Sequence, residues 1–261
     1  MMPLAKPGPM TETERFLFDV AGYLVIPGAL STGETERCLE AAQRAHGDLP
    51  NRKWRQIGAL YEKEPAIEEL IDHPSVLPKV RALLGDYFIV QSSWCTLSPA
   101  HFPGQGLHQD GSGAYEFRRL ALPTPLVQLR VGYFLTDQSA ANMGNIVIIP
   151  GSHNASVKLP AGLTVADLPN AEPVCGPAGS ALLFHQGVYH CGADNEANHD
   201  RLIQHIVYSP PWLIPSDRFG NDPAFMERTT PLRRALVGNW SRPEAPFGGG
   251  YDRPPFEESA S

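Results

Sequence analysis

The sequence predicts a mainly β protein with flanking helices, in which an antiparallel sandwich or barrel follows a short helical region. Three observations carry this prediction. Helical periodicity is confined to the first 85 residues. Between about 86 and 210 the apolar residues fall in short β-like runs separated by clusters of Gly, Pro and Asn. The chain also spreads 26 prolines and 24 glycines over 261 residues, which suits many short strands joined by turns.

Taken in order, residues 1–12 read as a disordered lead. Phe16 to Val25 gives a short helix running into the strand-like GYLVIP, which Pro27-Gly28 closes as a turn. Ser31, with Glu34 three residues on, makes a capping box, so a helix starts there and continues through Cys38, Leu39, Ala42 and Ala45 until Gly47 and Pro50. A second helical segment covers about 66–72. A third covers 74–84, where Val76, Leu77, Val80, Leu83 and Leu84 share one face and Gly85 ends it. Strand-like runs follow at 87–98, 126–136, 145–149, 180–184 and 201–208. From Pro210 the chain turns irregular and proline-rich, and a tail packing over an opening is expected. The whole reads as one domain spanning 1–261: a helical part (1–85), a β core (86–210) and a C-terminal tail (211–261).

Composition narrows the function classes. With 42% hydrophobic and 19% charged residues the chain falls among ordinary soluble globular proteins. A net charge of −7 and a pI near 5.7 argue against a nucleic-acid surface, which needs a basic stripe, and still allow a local basic pocket for an acidic small molecule. No stretch reaches the roughly 18 apolar residues of a membrane span, and MMPLAKPGPM has no continuous apolar segment. A cytoplasmic protein that is not membrane-bound is expected, with its oligomeric state open. Cys38, Cys95, Cys175 and Cys191 are scattered without a CxxC pair and read as reduced thiols.

The most informative residues lie in GLHQDG. In an extended segment side chains i and i+2 point the same way, so His108 and Asp110 can reach one metal while Gln109 points away. Glycines at 104, 106, 111 and 113 permit a sharp approach to the rim of a sheet. A third ligand must come from a distant strand. His190, at the end of GPAGSALLFHQGVYH, is placed for it, with His185 and His153 as the competing histidines. Two histidines and one carboxylate can take one face of an Fe(II) octahedron and leave three positions open, although the same set also suits zinc. Arg201, eleven residues after His190, could clamp the far carboxylate of a 2-oxo acid. Arg130 sits inside the strand-like LVQLRVGYFL, where a lone charge is costly, so it either reaches solvent or pairs with a substrate or cosubstrate acid. Tyr115 and Arg118 fall in an aromatic, basic segment that suits a lid over substrate or an ordinary solvent loop. Trp94, Tyr133, Phe184 and Tyr189 could line a pocket, but aromatics in strands are more often core, and none is assigned as a binding residue. His199 reads as an exposed turn residue and His205 as a packed strand residue.

Taken jointly, FDVAGYLVIPGALS, HPSVLPKVRALLG, LHQDG, IIPGSH and SALLFHQGVYHCGADNEANHDR resemble, in order, the motifs of the phytanoyl-CoA dioxygenase-like family of Fe(II)/2-oxoglutarate oxygenases. The resemblance spans nearly the whole chain. It implies a double-stranded β-helix, a distorted jelly roll of cupin-like form. It assigns His108, Asp110 and His190 as iron ligands and Arg201 as the partner of the 2-oxoglutarate C5 carboxylate. Gln91 is implied as a second cosubstrate contact; the alternation along its strand leaves open whether Gln91, Ser93 and Cys95 or Ser92, Trp94 and Thr96 face inward. The implied cofactors are Fe(II), 2-oxoglutarate and O2. The implied reaction oxidises a C–H bond of a small-molecule substrate, hydroxylation being the default, with release of succinate and CO2. Halogenating relatives leave a gap where Asp110 stands, so halogenation is not expected. Arg130, Arg118 and Tyr115 are the candidate substrate contacts. The competing classes are a non-catalytic jelly roll that binds a ligand or metal, and a zinc hydrolase.

Overall fold

The computed structural model describes residues 2–47, 53–110 and 120–238. In chain order its helices and strands are α1 (Glu12–Ala21), β1 (Tyr23–Ile26), α2 (Thr32–His46), β2 (Arg55–Gly58), α3 (Pro65–Glu68), α4 (Leu77–Leu84), β3 (Ile89–Ser98), β4 (Leu129–Phe134), β5 (Ile146–Ile148), β6 (Glu172–Pro173), β7 (Ala181–His185), β8 (His190–Gly192), β9 (Arg201–Ser209), α5 (Pro223–Arg228) and α6 (Pro231–Leu236). One sheet has the order β1-β7-β4-β9-β3-β2 and a smaller one the order β6-β5-β8, with antiparallel pairing throughout. The two face each other as a double-stranded β-helix, and helices cover the outer face of the larger sheet.

Period-2 alternation explains this layering. On β7, Ala181 and Leu183 join the helix-side core with Phe18, Ala41, Ile67 and Val80, whereas Leu182 and Phe184 join Ile146 and Ile148 between the sheets. β1 divides in the same way, Leu24 and Ile26 against Tyr23 and Val25. Both faces of these strands are buried, so they read as continuous apolar runs rather than alternating ones. Each fully buried Leu, Ile or Phe contributes roughly 1.5–3 kcal/mol. The face of β9 that looks between the sheets carries Arg201 and His205 together with Ile203, and this places polar groups at one end of the sandwich.

The predicted capping box at Ser31 is present, and α1 starts earlier than expected, at Glu12 instead of Phe16, on a second one. Ser31 and Glu34 form the reciprocal capping box of α2, and Thr11 and Glu14 form another at α1. Three expectations need correction. The lead is ordered along β1: Ala5 N donates to Val25 O and Val25 N to Pro3 O, because the open edge of β1 offers unpaired backbone groups. β2, unannounced by periodicity, completes the opposite edge beside β3. The stretch after Pro210 contains α5 and α6, each with an Asp or Thr N-cap followed by Pro at N1. Its described part, up to residue 238, packs against the N-terminal helical part, Arg233 bonding to Asp72 and Glu68 and Arg228 pairing with Glu68; residues 239–261 of the expected tail lie outside the described residues.

Candidate metal centre and cosubstrate cavity

The segment before Asp110 runs antiparallel beside β8 and extends the smaller sheet. His108 and His190 exchange backbone hydrogen bonds, each N–H donating to the other's carbonyl at 2.9 Å, while Gln105 N donates to Gly192 O and Asp110 N to Gln186 O. The chains approach so closely that a Cβ at Gly104 would lie 2.5 Å from Gly192 O, so only glycine fits there. This pairing brings ligands eighty residues apart in sequence together. One ligand atom from each of His108, Asp110 and His190 lies within 4.8 Å of the others. The imidazole centroids are 4.4 Å apart, and Asp110 Oδ1 is 3.7 Å from His190 Nε2.

Backbone carbonyls fix both imidazole tautomers. His108 Nδ1 lies 2.9 Å from Gly106 O and His190 Nδ1 lies 3.1 Å from Val188 O. A carbonyl only accepts, so each Nδ1 carries the proton and each Nε2 lone pair is left for a metal. Burial pushes the His190 pKa down to about 4, outweighing the opposing pull of Asp110, so the ring is neutral at neutral pH. Asp110 also forms an ion pair through Oδ2 with Arg130 Nε.

A cavity of about 100 Å³ adjoins the cluster, with Trp94, Thr96 and Ser98 of β3 on one side and Arg201 and His205 of β9 on another. Arg201 is 5% exposed, its Nε has no hydrogen-bond partner, and no carboxylate pairs with it among the described residues. Burial lowers its pKa to about 10, which leaves it charged. Gly144, at φ +73°, turns the chain tightly against the Arg201 stem, where a Cβ would meet Cβ and Cγ at 3.3 Å. His205 Nδ1 is likewise unpartnered; burial first, then Arg201 and Arg130, hold its ring neutral, and it stacks on Trp94 with centroids 5.3 Å apart.

These orphaned buried atoms test whether a metal and a dianion fit. A buried guanidinium and an unpaired donor in a small cavity are costly unless an anion completes them. Two neutral imidazoles and a carboxylate are in turn a donor set for a divalent cation. The residues therefore fit Fe(II) with 2-oxoglutarate beside it.

Arg130, in contrast to a solvent-reaching strand arginine, is buried against Asp110. Gln91 is not brought to the cavity: alternation along β3 puts it on the face opposite Trp94, Thr96 and Ser98, and its amide Nε2 donates to Ile214 O at 3.1 Å. The inward face of β3 is that of Trp94, Thr96 and Ser98, while Cys95 joins the helix-side core. Tyr115 and Arg118 lie outside the described residues. The competing histidines are occupied elsewhere. His153 and His185 pack on each other with centroids 4.8 Å apart, and burial, then His153, lowers the His185 pKa to about 3. His199 is exposed and bonds to Asp137 O. Of the aromatics, Trp94 and Phe184 line the cavity, Tyr133 donates to Leu70 O in the core, and Tyr189 accepts from Leu159 N. Trp54, just before β2, and Gln56, within it, also line the cavity and carry no sequence signal of that role. His205 does carry one, its i+4 spacing from Arg201 on an alternating strand. A second cavity, of about 290 Å³, lies on the other side of 107–110 and includes Gln109, Lys158, Leu159, Leu163 and Tyr189.

A 2-His-1-carboxylate cluster at the mouth of a double-stranded β-helix defines a class, the Fe(II)/2-oxoglutarate-dependent oxygenases. Within it the chain belongs to the phytanoyl-CoA dioxygenase (PhyH) family, whose model matches residues 18–203. A relative in sequence is dioxygenase af480 of Aspergillus fumigatus, 26% identical over 216 residues that cover 74% of this chain; the match spans 65% of that protein's length, less than two thirds of it. In fold, the chain is similar to HygX from Streptomyces hygroscopicus with nickel and 2-oxoglutarate bound: TM-score 0.70, 20% identity, 79% of this chain and 89% of that one. It is similar also to the non-heme alpha ketoglutarate dependent epimerase SnoN from nogalamycin biosynthesis, with TM-score 0.60, 21% identity, and 80% and 88% coverage. Among the described residues no helix is long and apolar enough to cross a membrane.

Proposed function

We propose that the protein is an Fe(II)- and 2-oxoglutarate-dependent dioxygenase that hydroxylates a C–H bond of a small-molecule metabolite. The observation that carries this reading is the convergence of His108, Asp110 and His190 beside a cavity whose buried Arg201 lacks a counter-charge. Bound Fe(II), 2-oxoglutarate and O2 supply the oxidising chemistry, with succinate and CO2 released. The chain supplies position and dryness. His108 and His190 offer Nε2 in a tautomer set by the backbone, and Asp110 offers one carboxylate oxygen. Arg201 holds the distal carboxylate of 2-oxoglutarate, a charge-assisted contact of roughly 1.5–3 kcal/mol. Trp94, Phe184 and Ile146 keep water from the reacting centre.

Substrate approaches from the second cavity, because a cavity of about 100 Å³ with the unpaired Arg201 suits only a small anion. A metabolite of mixed polarity suits the Leu159, Leu163 and Lys158 wall. A neighbour in fold binds hygromycin B, and another belongs to nogalamycin biosynthesis, which supports a specialised small molecule as substrate. A zinc hydrolase would leave Arg201 without a role.

Anaerobic addition of Fe(II) and 2-oxoglutarate is expected to give a weak visible charge-transfer band that Asp110→Ala and His190→Ala abolish. Substrate-stimulated succinate formation should vanish with the band. Unchanged succinate formation by Asp110→Ala would refute the assignment.

A further inference from the structure

Asp110 divides its two oxygens between different neighbours. Oδ1 faces His190 Nε2 at 3.7 Å, while Oδ2 forms the ion pair with Arg130 Nε. Arg130 is itself held in place. It lies within β4, paired with Phe184 of β7 and Val207 of β9, and its guanidinium carbon sits 4.9 Å from the Trp94 ring centroid. Its side chain is 17% exposed and that of Asp110 is 6% exposed, so neither swings freely.

A carboxylate with both oxygens free tends to chelate a divalent cation, which would take a fourth position of an octahedron. The proposed reaction requires three open positions, two for the 2-oxo acid and one for oxygen. We propose that Arg130 is a positioning residue that occupies the outer oxygen of Asp110, so that the metal receives a single carboxylate oxygen. The inference rests on the metal-centre reading above and extends it to a residue outside the ligand set. It also removes Arg130 from the candidate substrate contacts, since its charge is already engaged.

The test uses the full-length protein with Co(II) as the probe, by equilibrium dialysis and by the visible d–d spectrum. Partners that orient a ligand typically change metal affinity 10–100-fold when mutated. Arg130→Gln is therefore expected to change Co(II) affinity by about that factor and to shift the d–d spectrum as the second oxygen of Asp110 reaches the metal, and Arg130→Lys, which keeps the charge within reach of Oδ2, to restore most of both. Wild-type affinity and spectrum in Arg130→Gln, accompanied only by a lower unfolding temperature, would show a structural role and overturn the proposal. Tighter binding in Arg130→Gln with the wild-type d–d spectrum would also overturn it, because Arg130 would then merely repel the cation. X-ray absorption of the Co(II)-loaded wild type needs no variant: a chelating carboxylate signature sinks the proposal even if Arg130→Gln fails to fold. If His190→Ala binds Co(II) as tightly as wild type, the metal-centre reading fails, and this inference with it. Loss in His190→Ala with no change in Arg130→Gln removes Arg130 alone.

Discussion

Buried charge is handled in opposite ways at the two ends of the molecule. In the helical layer, Lys79 is fully buried yet completed: its Nζ donates to Glu14 at 2.7 Å and to Pro9 O at 3.0 Å. Burial would push the Glu14 pKa up, but Lys79 and the backbone N–H groups of Thr11 and Lys6 outweigh it and hold the carboxyl below its usual range. Glu68 is similarly surrounded by Arg228, Arg233 and Thr229. At the open end of the sandwich Arg201 is buried to a similar degree with no counter-ion among the described residues, and His205 keeps a bare nitrogen. The contrast separates scaffold from site. A completed ion pair fixes one chain segment against another, whereas an incomplete one stores a demand for a ligand.

Breaking the completed pair should have the largest effect on stability. Lys79→Met leaves the Glu14 carboxylate buried without its cation, and a loss of about 3 kcal/mol is expected from urea unfolding. A change below about 0.5 kcal/mol, the level of ordinary surface substitutions, would mean that the two ends do not differ as argued. The matching substitution at the site should act the other way. Arg201→Met removes an uncompensated buried charge, so the metal-free protein should gain roughly 1 kcal/mol. The same variant should bind 2-oxoglutarate about 10–100-fold more weakly, the equivalent of the lost charge-assisted contact. Thermal unfolding and titration of the Co(II)-loaded protein read the two effects separately. A destabilised Arg201→Met that retains 2-oxoglutarate affinity would place Arg201 with the scaffold.

Legibility in the sequence follows the same division. Local chemistry was readable where a signal is confined to a few residues: Ser31 with Glu34 at a helix start, the GYLVIP strand, and the i, i+2 spacing of His108 and Asp110. The resemblance of LHQDG and the 179–201 stretch to family motifs supplied the third ligand, which periodicity alone could not choose among His153, His185 and His190. What stayed hidden depends on contacts between distant segments. Which face of β3 looks inward is set by the layers packed on it, and Gln91 lies on the other face, bonded to Ile214 O. β2 is four residues of mixed polarity whose strand character comes from pairing with β3. Arg130 was legible as a costly charge inside a strand, expected to reach solvent or a substrate or cosubstrate acid, whereas its partner is Asp110 of the chain itself. The Asp-Pro and Thr-Pro starts of α5 and α6 were legible in principle; short helices amid prolines give too little periodicity to stand out.

A surface pair offers the mildest and most specific check on the contrast. The Glu34 side chain accepts from Ser31 N at 2.7 Å and from Ser31 Oγ at 2.6 Å, with His73 Nε2 at 3.3 Å from its other oxygen. The Ser31 side-chain and backbone bonds dominate, with a smaller contribution from His73 against the opposing pull of burial, and hold the Glu34 pKa at about 2 instead of 4.5. A carboxyl with a depressed folded pKa stabilises the fold fully above its unfolded value and loses that contribution as pH falls toward the folded value. Ser31→Ala should therefore cost about 1 kcal/mol at neutral pH. The wild-type advantage over Glu34→Gln should be flat above pH 5 and shrink between about pH 4.5 and pH 2, tracked by urea midpoints at each pH. Because the pair is part-exposed, its effect should stay well below that of Lys79→Met, and 2-oxoglutarate affinity should not move at all. An effect of Ser31→Ala as large as that of Lys79→Met would show that burial is not what ranks these charges.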